Sequence, residues 1–156
     1  MKTAIVTDST AYLPKDLREQ HNIHMIPLNV IFGEESYQEE VELTAEQFYE
    51  EIKNRPHLPS TSQPAIGKFV ELFESLAKDY DAIISIHLSS GISGTYQGAL
   101  AAADMVDSAA VHVFDTEISC MVQGFYAIEA AEMAKEGKDA DVIMARLQDM
   151  KKTMRA

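Results

Sequence analysis

The sequence predicts a layered α/β domain with a mainly parallel sheet flanked by helices. Apolar β-branched runs alternate with helical patterns along the 156 residues, which is the order expected of strand–helix–strand units. The clearest runs, residues 3–7, 81–88 and 110–114, are each followed by Asp, Ser or Thr. Neither G-x-G-x-x-G nor G-x-x-x-x-G-K-[ST] occurs. We therefore expect one domain over residues 1–156, Rossmann-like without a dinucleotide motif.

The first predicted strand, residues 3–7, places polar groups at its carboxyl end. Asp8 and Ser9 follow it directly, and the carboxyl ends of strands carry the sites of α/β sheets. Ser9 is therefore a candidate ligand-binding residue. In an equally good interpretation, Asp8 or Ser9 caps the helix that Pro14 begins.

The next segments have weaker strand signals. Residues 23–32 are strand-like, but Pro27 interrupts them and indicates an edge or a bend. Thr44 begins a capping-box pattern ahead of a helix that carries Phe48 and Ile52, and this helix is expected to stop near Arg55.

A polar loop is predicted over residues 58–64. Two prolines restrict it, and Thr61 and Ser62 supply hydroxyls just before Pro64 begins a helix. The two hydroxyls are candidate ligand contacts. The alternative is that Thr61 or Ser62 only caps that helix.

The chain is organised around a turn rich in glycine and hydroxyl groups, residues 89–99, between an apolar strand and an alanine-rich helix. Free N–H groups at the helix start, together with the hydroxyls of Ser90 and Ser93 beside Gly94, favour an anion. No Lys or Arg lies between Lys78 and Lys135, so a singly charged carboxylate fits better than a polyphosphate. The alternative is an N-capped helix after a loop.

The last segments are two apolar helices. Residues 118–134 are apolar on nearly every face and end at Gly137. Residues 139–154 form the other helix, whose apolar stripe is Ile143, Leu147, Met150 and Met154. Together they present more apolar surface than outer helices of a small domain need. We therefore expect self-association into a homodimer or larger assembly.

Composition excludes several classes of protein. The 13 Lys and Arg against 25 Asp and Glu give a net charge of -12, which disfavours nucleic acid. A single cysteine, Cys120, allows no internal disulfide. No apolar run reaches the length of a membrane span, so we expect a soluble, cytoplasmic protein. His21 and His24 lack a carboxylate pair at ligand spacing, and we expect no metal site and no cofactor.

A serine hydrolase is the alternative function. Residues 91–95 nearly match the G-x-S-x-G nucleophile elbow, with Thr95 in the fifth position. The order of that elbow requires an acid and then a histidine after Ser93, yet the only later histidine, His112, lies inside a strand before Asp115. His87 precedes the turn, but no acid partner is evident, which favours a structural role. We expect a carrier with no catalytic residue, and an esterase using Ser93 as the alternative.

Five ordered segments resemble the DegV family of bacterial fatty-acid-binding proteins. They cover nearly the whole chain: residues 5–10 (IVTDST), 27–30 (PLNV), 61–64 (TSQP), 89–97 (SSGISGTYQ) and 113–116 (VFDT). The resemblance implies an α/β domain that binds a long-chain fatty acid, with the carboxylate at Thr61 and Ser93. It further implies presentation of that carboxylate to a fatty acid kinase. The family usually has a second domain that adds a histidine and an arginine, and we expect that domain to be absent here.

Overall fold

The computed structural model describes residues 2–39, 41–55 and 59–153. Seven strands and six helices follow one another in these residues. In chain order they are β1 (Thr3–Asp8), α1 (Lys15–His21), β2 (Ile23–Ile26), β3 (Asn29–Phe32), β4 (Glu35–Gln38), α2 (Ala45–Asn54), β5 (Ser60–Ser62), α3 (Ile66–Leu76), β6 (Ala82–His87), α4 (Thr95–Met105), β7 (Ala110–Asp115), α5 (Cys120–Lys135) and α6 (Ala140–Met150).

Four of the strands form a parallel sheet in the order β2-β1-β6-β7. The central pair, β1 and β6, is buried along its whole length, which explains why these two strands are continuous apolar runs. All four strands run the same way, so their carboxyl ends share one edge. This sheet and its flanking helices confirm the predicted α/β class.

Helices cover both faces of the parallel sheet. On one face, α5 and α6 pack against Ile5, Ile84 and Ile86, with α1 at the side. On the other face, α3 and α4 pack against Val6 and Ile83. Successive strand residues point to opposite faces of the sheet. Since helices cover both faces, the sheet forms the middle of three layers.

The apolar stripe of α6 lies inside the molecule. Ile143 and Leu147 are fully buried and Met150 is 8% exposed, all within the core shared with α5 and the sheet. Their expected role as an uncovered surface is wrong, since this chain itself covers them. Met154 lies outside the described residues. Self-association stays a prediction, and the stripe of α6 no longer supports it. Phe125 on α5 is half exposed.

A second, antiparallel sheet in the order β4-β3-β5 was not predicted. Pro27 ends β2, and the chain then enters β3 in a different sheet, so the predicted bend divides residues 23–32 between two sheets. Ser60–Ser62, expected in a loop, pair with β3; Leu58 lies outside the described residues. α2 packs Phe48 and Ile52 against the core of this sheet, and Thr44 completes the predicted capping box.

The alternative capping roles of the polar strand ends are wrong. Asp8 caps a 3₁₀ turn at Ser9–Ala11, whereas α1 has Pro14 at its N-cap. The N-cap of α3 is Ala65, which makes no side-chain bond. Thr61 and Ser62 are therefore free of that structural task. No helix in the described ranges is long and apolar enough to cross a membrane.

Candidate functional site

A cavity of about 650 Å³ lies at the carboxyl edge of the parallel sheet, where the second sheet meets it. The strand ends, the turn before α4 and the start of α5 contribute to its wall. Its lining residues are Thr10, Tyr12, Leu28, Glu39, Thr61, Ser62, Gln63, Leu88, Ile92, Ser93, Gly94, Ser119 and Cys120. Such a position at a sheet edge is the usual place for a ligand in an open α/β fold.

The antiparallel sheet supplies two of the predicted site residues. Thr61 and Ser62 lie on β5, opposite Val30 and Asn29 of β3. Thr61 is exposed and Ser62 is half-buried. Because neither hydroxyl caps α3, both are available to a molecule in the cavity.

The turn between β6 and α4 supplies the other two. The Oγ of Ser93 accepts from the backbone N–H of Thr95 at 3.2 Å and lies 2.9 Å from the Thr95 Oγ1. Ser93 is half-buried while Thr95 is fully buried. The helix N-cap, Gly94, has no side chain to satisfy the first N–H groups. Ser93 lines the cavity at the start of α4. The free backbone N–H groups there favour a hydrogen-bond acceptor in the cavity.

The side chain of Gln63 occupies the space beside Gly94. A Cβ at position 94 would lie 2.1 Å from the Gln63 Oε1 and 2.9 Å from its Cδ. The carboxamide thus packs directly against the backbone at the start of α4. Gln63 and Gly94 line the same cavity as Thr61 and Ser93.

Ser9 and Ser90, also predicted as ligand contacts, are not among the lining residues. Ser9 is buried; its hydroxyl donates to the Glu39 Oε1 at 2.8 Å and accepts from the Leu28 N–H at 2.9 Å. Ser90 donates its backbone N–H to Asp115 at 3.3 Å. Both residues hold the loops around the cavity, and their direct binding stays a prediction.

A buried polar cluster lies beneath the cavity. His87 Nδ1 lies 2.9 Å from the Asp8 Oδ2, and His87 Nε2 lies 2.5 Å from the Ser85 Oγ. All three side chains are fully buried. Burial by itself raises the pKa of Asp8, but the bonds and charge of His87, with bonds from Thr10 and Gln123, outweigh it and hold that pKa below its ordinary value.

The contacts of this cluster bear on the alternative that Ser93 is a catalytic nucleophile. His87 has an acid partner, Asp8, so the expectation that it has none is wrong. Its serine partner is Ser85, which is fully buried. Within the described part of the chain, the hydroxyl of Ser93 bonds only with Thr95. Among the residues that the structure describes, no base lies within hydrogen-bond reach of Ser93, and general-base activation of a serine requires one there.

A second, more apolar cavity of about 360 Å³ adjoins the first. The two cavities share Tyr12, Glu39 and Thr61. The rest of its wall comes from the antiparallel sheet, the start of α2 and the residue before it. These residues are Val30, Leu43, Thr44, Phe48 and Tyr49. A polar cavity that continues into an apolar one suits an amphipathic molecule.

The charge of the site is low. Among the described residues that line the larger cavity there is no Lys, Arg or His, and Glu39 is the one carboxylate. No group of three metal-ligating side chains occurs in the described ranges. The polar groups that these lining residues offer to a ligand are hydroxyls, a thiol, the Gln63 amide, the Glu39 carboxylate and backbone groups.

Several lining residues were not predicted from the sequence. Glu39 and Leu28 reach the cavity only because the second sheet folds over the strand ends. Cys120, the exposed first residue of α5, also lines it. Tyr12 follows the 3₁₀ turn at φ 51°, and no motif marks it. Of these residues, only Thr10 carried a sequence signal, because its hydroxyl lies two residues after the end of β1.

The three-layer fold and its adjoining polar and apolar cavities define an α/β domain with a cavity at the carboxyl edge of its parallel sheet. A family model described as "Uncharacterised protein, DegV family" matches residues 2–156. The chain belongs to the DegV family, which confirms the resemblance noted in the sequence.

Relatives and solved structures agree with this assignment. The protein DegV of Bacillus subtilis (strain 168) is 60% identical, over 100% of this chain and 56% of its own length. A crystal structure of DegV from Bacillus subtilis, described as a fatty acid binding protein, matches with TM-score 0.93 and 59% identity, over 98% of this chain and 55% of that one. A DegV family protein from Thermus thermophilus, described by its fatty acid binding, matches with TM-score 0.89 and 30% identity, over 97% and 54%. The chain spans about half the length of the curated relatives it matches.

Proposed function

We propose that this chain binds a long-chain fatty acid by its carboxylate and presents that carboxylate to a fatty acid kinase. The observation that carries the proposal is the convergence of Thr61 and Ser93, from two different sheets, on one cavity that continues into an apolar one. The description of similar structures as fatty acid binding proteins supports it.

The polar cavity suits a carboxylate with one charge. The hydroxyls of Thr61, Ser62 and Ser93 donate to its two oxygens, and each such charge-assisted bond contributes roughly 1.5–3 kcal/mol. Gly94, the N-cap of α4, lines the same cavity. Because Glu39 is the one charged lining residue among those described, a more highly charged group such as a polyphosphate is disfavoured.

The apolar cavity suits the start of an acyl chain. Thr61 borders both cavities, so a head group at Thr61 directs the first methylenes toward Phe48 and Leu43. About 14 buried methylenes contribute on the order of 11 kcal/mol at ~0.8 each, before ordering costs. The tail therefore sets the affinity and the hydroxyls set the orientation.

The wider role of the protein is part of the same proposal. We expect the additional length of the relatives to contribute further head-group contacts and tail burial, and the kinase to act on the exposed side of the carboxylate. The protein itself is a carrier in this proposal, located in the cytoplasm, and the fatty acid is its ligand rather than a cofactor.

Denaturing mass spectrometry of an organic extract of the purified protein tests the proposal. A co-purifying long-chain fatty acid is the expected result. The alternative, a serine esterase, predicts an empty extract together with turnover of a p-nitrophenyl ester that Ser93→Ala abolishes. That pair of results would replace the carrier with the hydrolase.

A further inference from the structure

The buried cluster beneath the cavity is not explained by stability alone. Asp8, His87 and Gln123 are each fully buried. Removing a carboxylate from water is costly, and an apolar trio of the same volume is often as stable or more so. The contacts of this cluster indicate what it does besides filling the core.

Asp8 connects the strands that form the cavity wall. Its Oδ2 accepts from His87 Nδ1 at 2.9 Å and from the backbone N–H of Leu88 at 3.2 Å. Its Oδ1 accepts from the backbone N–H of Thr10 at 2.9 Å and from Gln123 Nε2 at 3.1 Å. Leu88 and Thr10 both line the cavity. One carboxylate thus joins the ends of β1 and β6 to α5.

His87 is fixed in one orientation. An ionised Asp8 only accepts hydrogen bonds, so His87 Nδ1 carries a proton and donates to it, while His87 Nε2 lies 2.5 Å from the Ser85 Oγ. The Phe69 ring packs edge-on against the imidazole with 5.3 Å between centroids. The His87 carbonyl accepts from the Thr116 hydroxyl at 2.8 Å. A turn of the ring would break its contacts with Asp8, Ser85 and Phe69.

The backbone after β6 connects this cluster to the proposed head-group site. Leu88, held by Asp8, is the residue before the turn, and the next residue, Ser89, accepts the backbone N–H of Ser93 at 3.2 Å. A shift at Leu88 therefore displaces Ser93 relative to Thr61, which sits on the other sheet. Bonds of charged groups depend steeply on such displacements.

We propose that Asp8 and His87 are positioning residues that set the preference of the cavity for a carboxylate head group. The proposal rests on the proposed function and adds the residues that confer its head-group selectivity. Neither residue touches the ligand; each acts through Leu88, Thr10 and the turn that carries Ser93.

The test compares two ligands with the same tail. Dissociation constants of hexadecanoate and hexadecan-1-ol are measured for the wild type, Asp8→Asn and Leu147→Ala. In Asp8→Asn an amide N–H₂ faces the N–H groups of His87 and Leu88, and the preference for the acid falls by about tenfold or more, while the alcohol affinity stays within about twofold. Leu147→Ala removes core packing at a residue on α6 that lines neither cavity, so it loses stability and keeps the preference.

A second pair of variants keeps the test decisive if Asp8→Asn does not fold. His87→Asn retains a side-chain N–H close to the position of Nδ1, whereas His87→Leu removes it. The proposal requires His87→Asn to keep more of the acid preference than His87→Leu. Urea unfolding identifies which variants are folded at the temperature of the titration.

The outcomes separate the two proposals. If the wild type binds hexadecanoate no better than the alcohol, the head-group site itself fails and the positioning role falls with it. If the wild type prefers the acid and the folded variants at positions 8 and 87 keep that preference, only the positioning role is overturned. An equal loss for both ligands indicates a purely structural cluster and overturns it as well.

Discussion

The hydroxyl of Ser93 is the residue-scale feature on which the proposed head-group site depends most. Ser93→Ala removes one donor to the carboxylate and leaves the apolar cavity intact, so fatty acid affinity falls by roughly 10- to 100-fold. Calorimetric titration with hexadecanoate measures this change. Ser108→Ala is the control, because it removes the hydroxyl of an exposed serine that does not line the cavity. Equal affinities for Ser93→Ala and the wild type would contradict the assignment.

The lowered pKa of Asp8 predicts how the stability of the chain depends on pH. Its pKa in the folded chain is below the ordinary value of 3.8, so its contribution is fully present above pH 3.8. As the pH falls below that value, the unfolded chain takes up the proton first, and the contribution is lost through the folded pKa. Urea midpoints of the wild type should therefore drop from about pH 5 to about pH 2.5 more steeply than those of Asp8→Asn. Parallel curves would refute the shifted pKa.

The sequence singled out four residues that line the cavity, but it did not reveal which residues they meet in the fold. Thr61, Ser62, Ser93 and Gly94 stand next to strand ends or at a helix start, and local patterns reveal such positions. The bond of His87 to Asp8 joins residues 79 positions apart, and no local pattern shows it. Glu39 reaches the cavity through strand pairing, which depends on the whole fold.

At the scale of elements, the close approach of α5 to the 3₁₀ turn determines where Thr10 and Tyr12 lie. A Cβ at Gly124 would lie 2.9 Å from the Leu13 Cδ2 and 3.3 Å from the Ala11 carbonyl oxygen. Gly124→Ala should therefore destabilise the chain by about 1–3 kcal/mol. Chemical denaturation followed by circular dichroism measures this.

A second helical glycine provides the control for that experiment. A Cβ at Gly67, on α3, meets no atom within 4 Å. Gly67→Ala should stabilise the chain by about 0.5–1 kcal/mol, because alanine loses less backbone entropy in a helix. The two substitutions are expected to differ in sign, and a loss of stability at both positions would contradict the packing argument.

The elements of the parallel sheet were predictable, whereas those of the second sheet were only partly so. β1, β6 and β7 are continuous apolar runs because helices cover both faces of their sheet. β5 is three polar residues, and its pairing with β3 supplies the strand signal that its composition lacks. The burial of the α6 stripe was missed because an apolar face does not reveal which neighbour covers it.

At the scale of the whole molecule, the net charge of -12 opposes the approach of an anionic ligand. Salt screens this repulsion, with a Debye length near ~10 Å at about 0.1 M. The association rate constant of a fluorescent fatty acid should rise by roughly two- to tenfold between low and physiological ionic strength. Stopped-flow fluorescence measures it, with the corresponding alcohol as the uncharged control. A rate that falls with added salt would indicate local positive steering instead.

The pairing of β1 with β6 affects the order in which the parallel sheet can form during synthesis. Thr7 donates to the carbonyl of Ile86, 79 residues later in the chain. A ribosome adds roughly 5–20 residues per second, so β1 waits on the order of several seconds for this neighbour during synthesis. In that interval β1 can pair only with β2 on its other side. The cavity, whose wall includes the ends of both β1 and β6, is therefore among the last parts of the parallel sheet to form on the nascent chain.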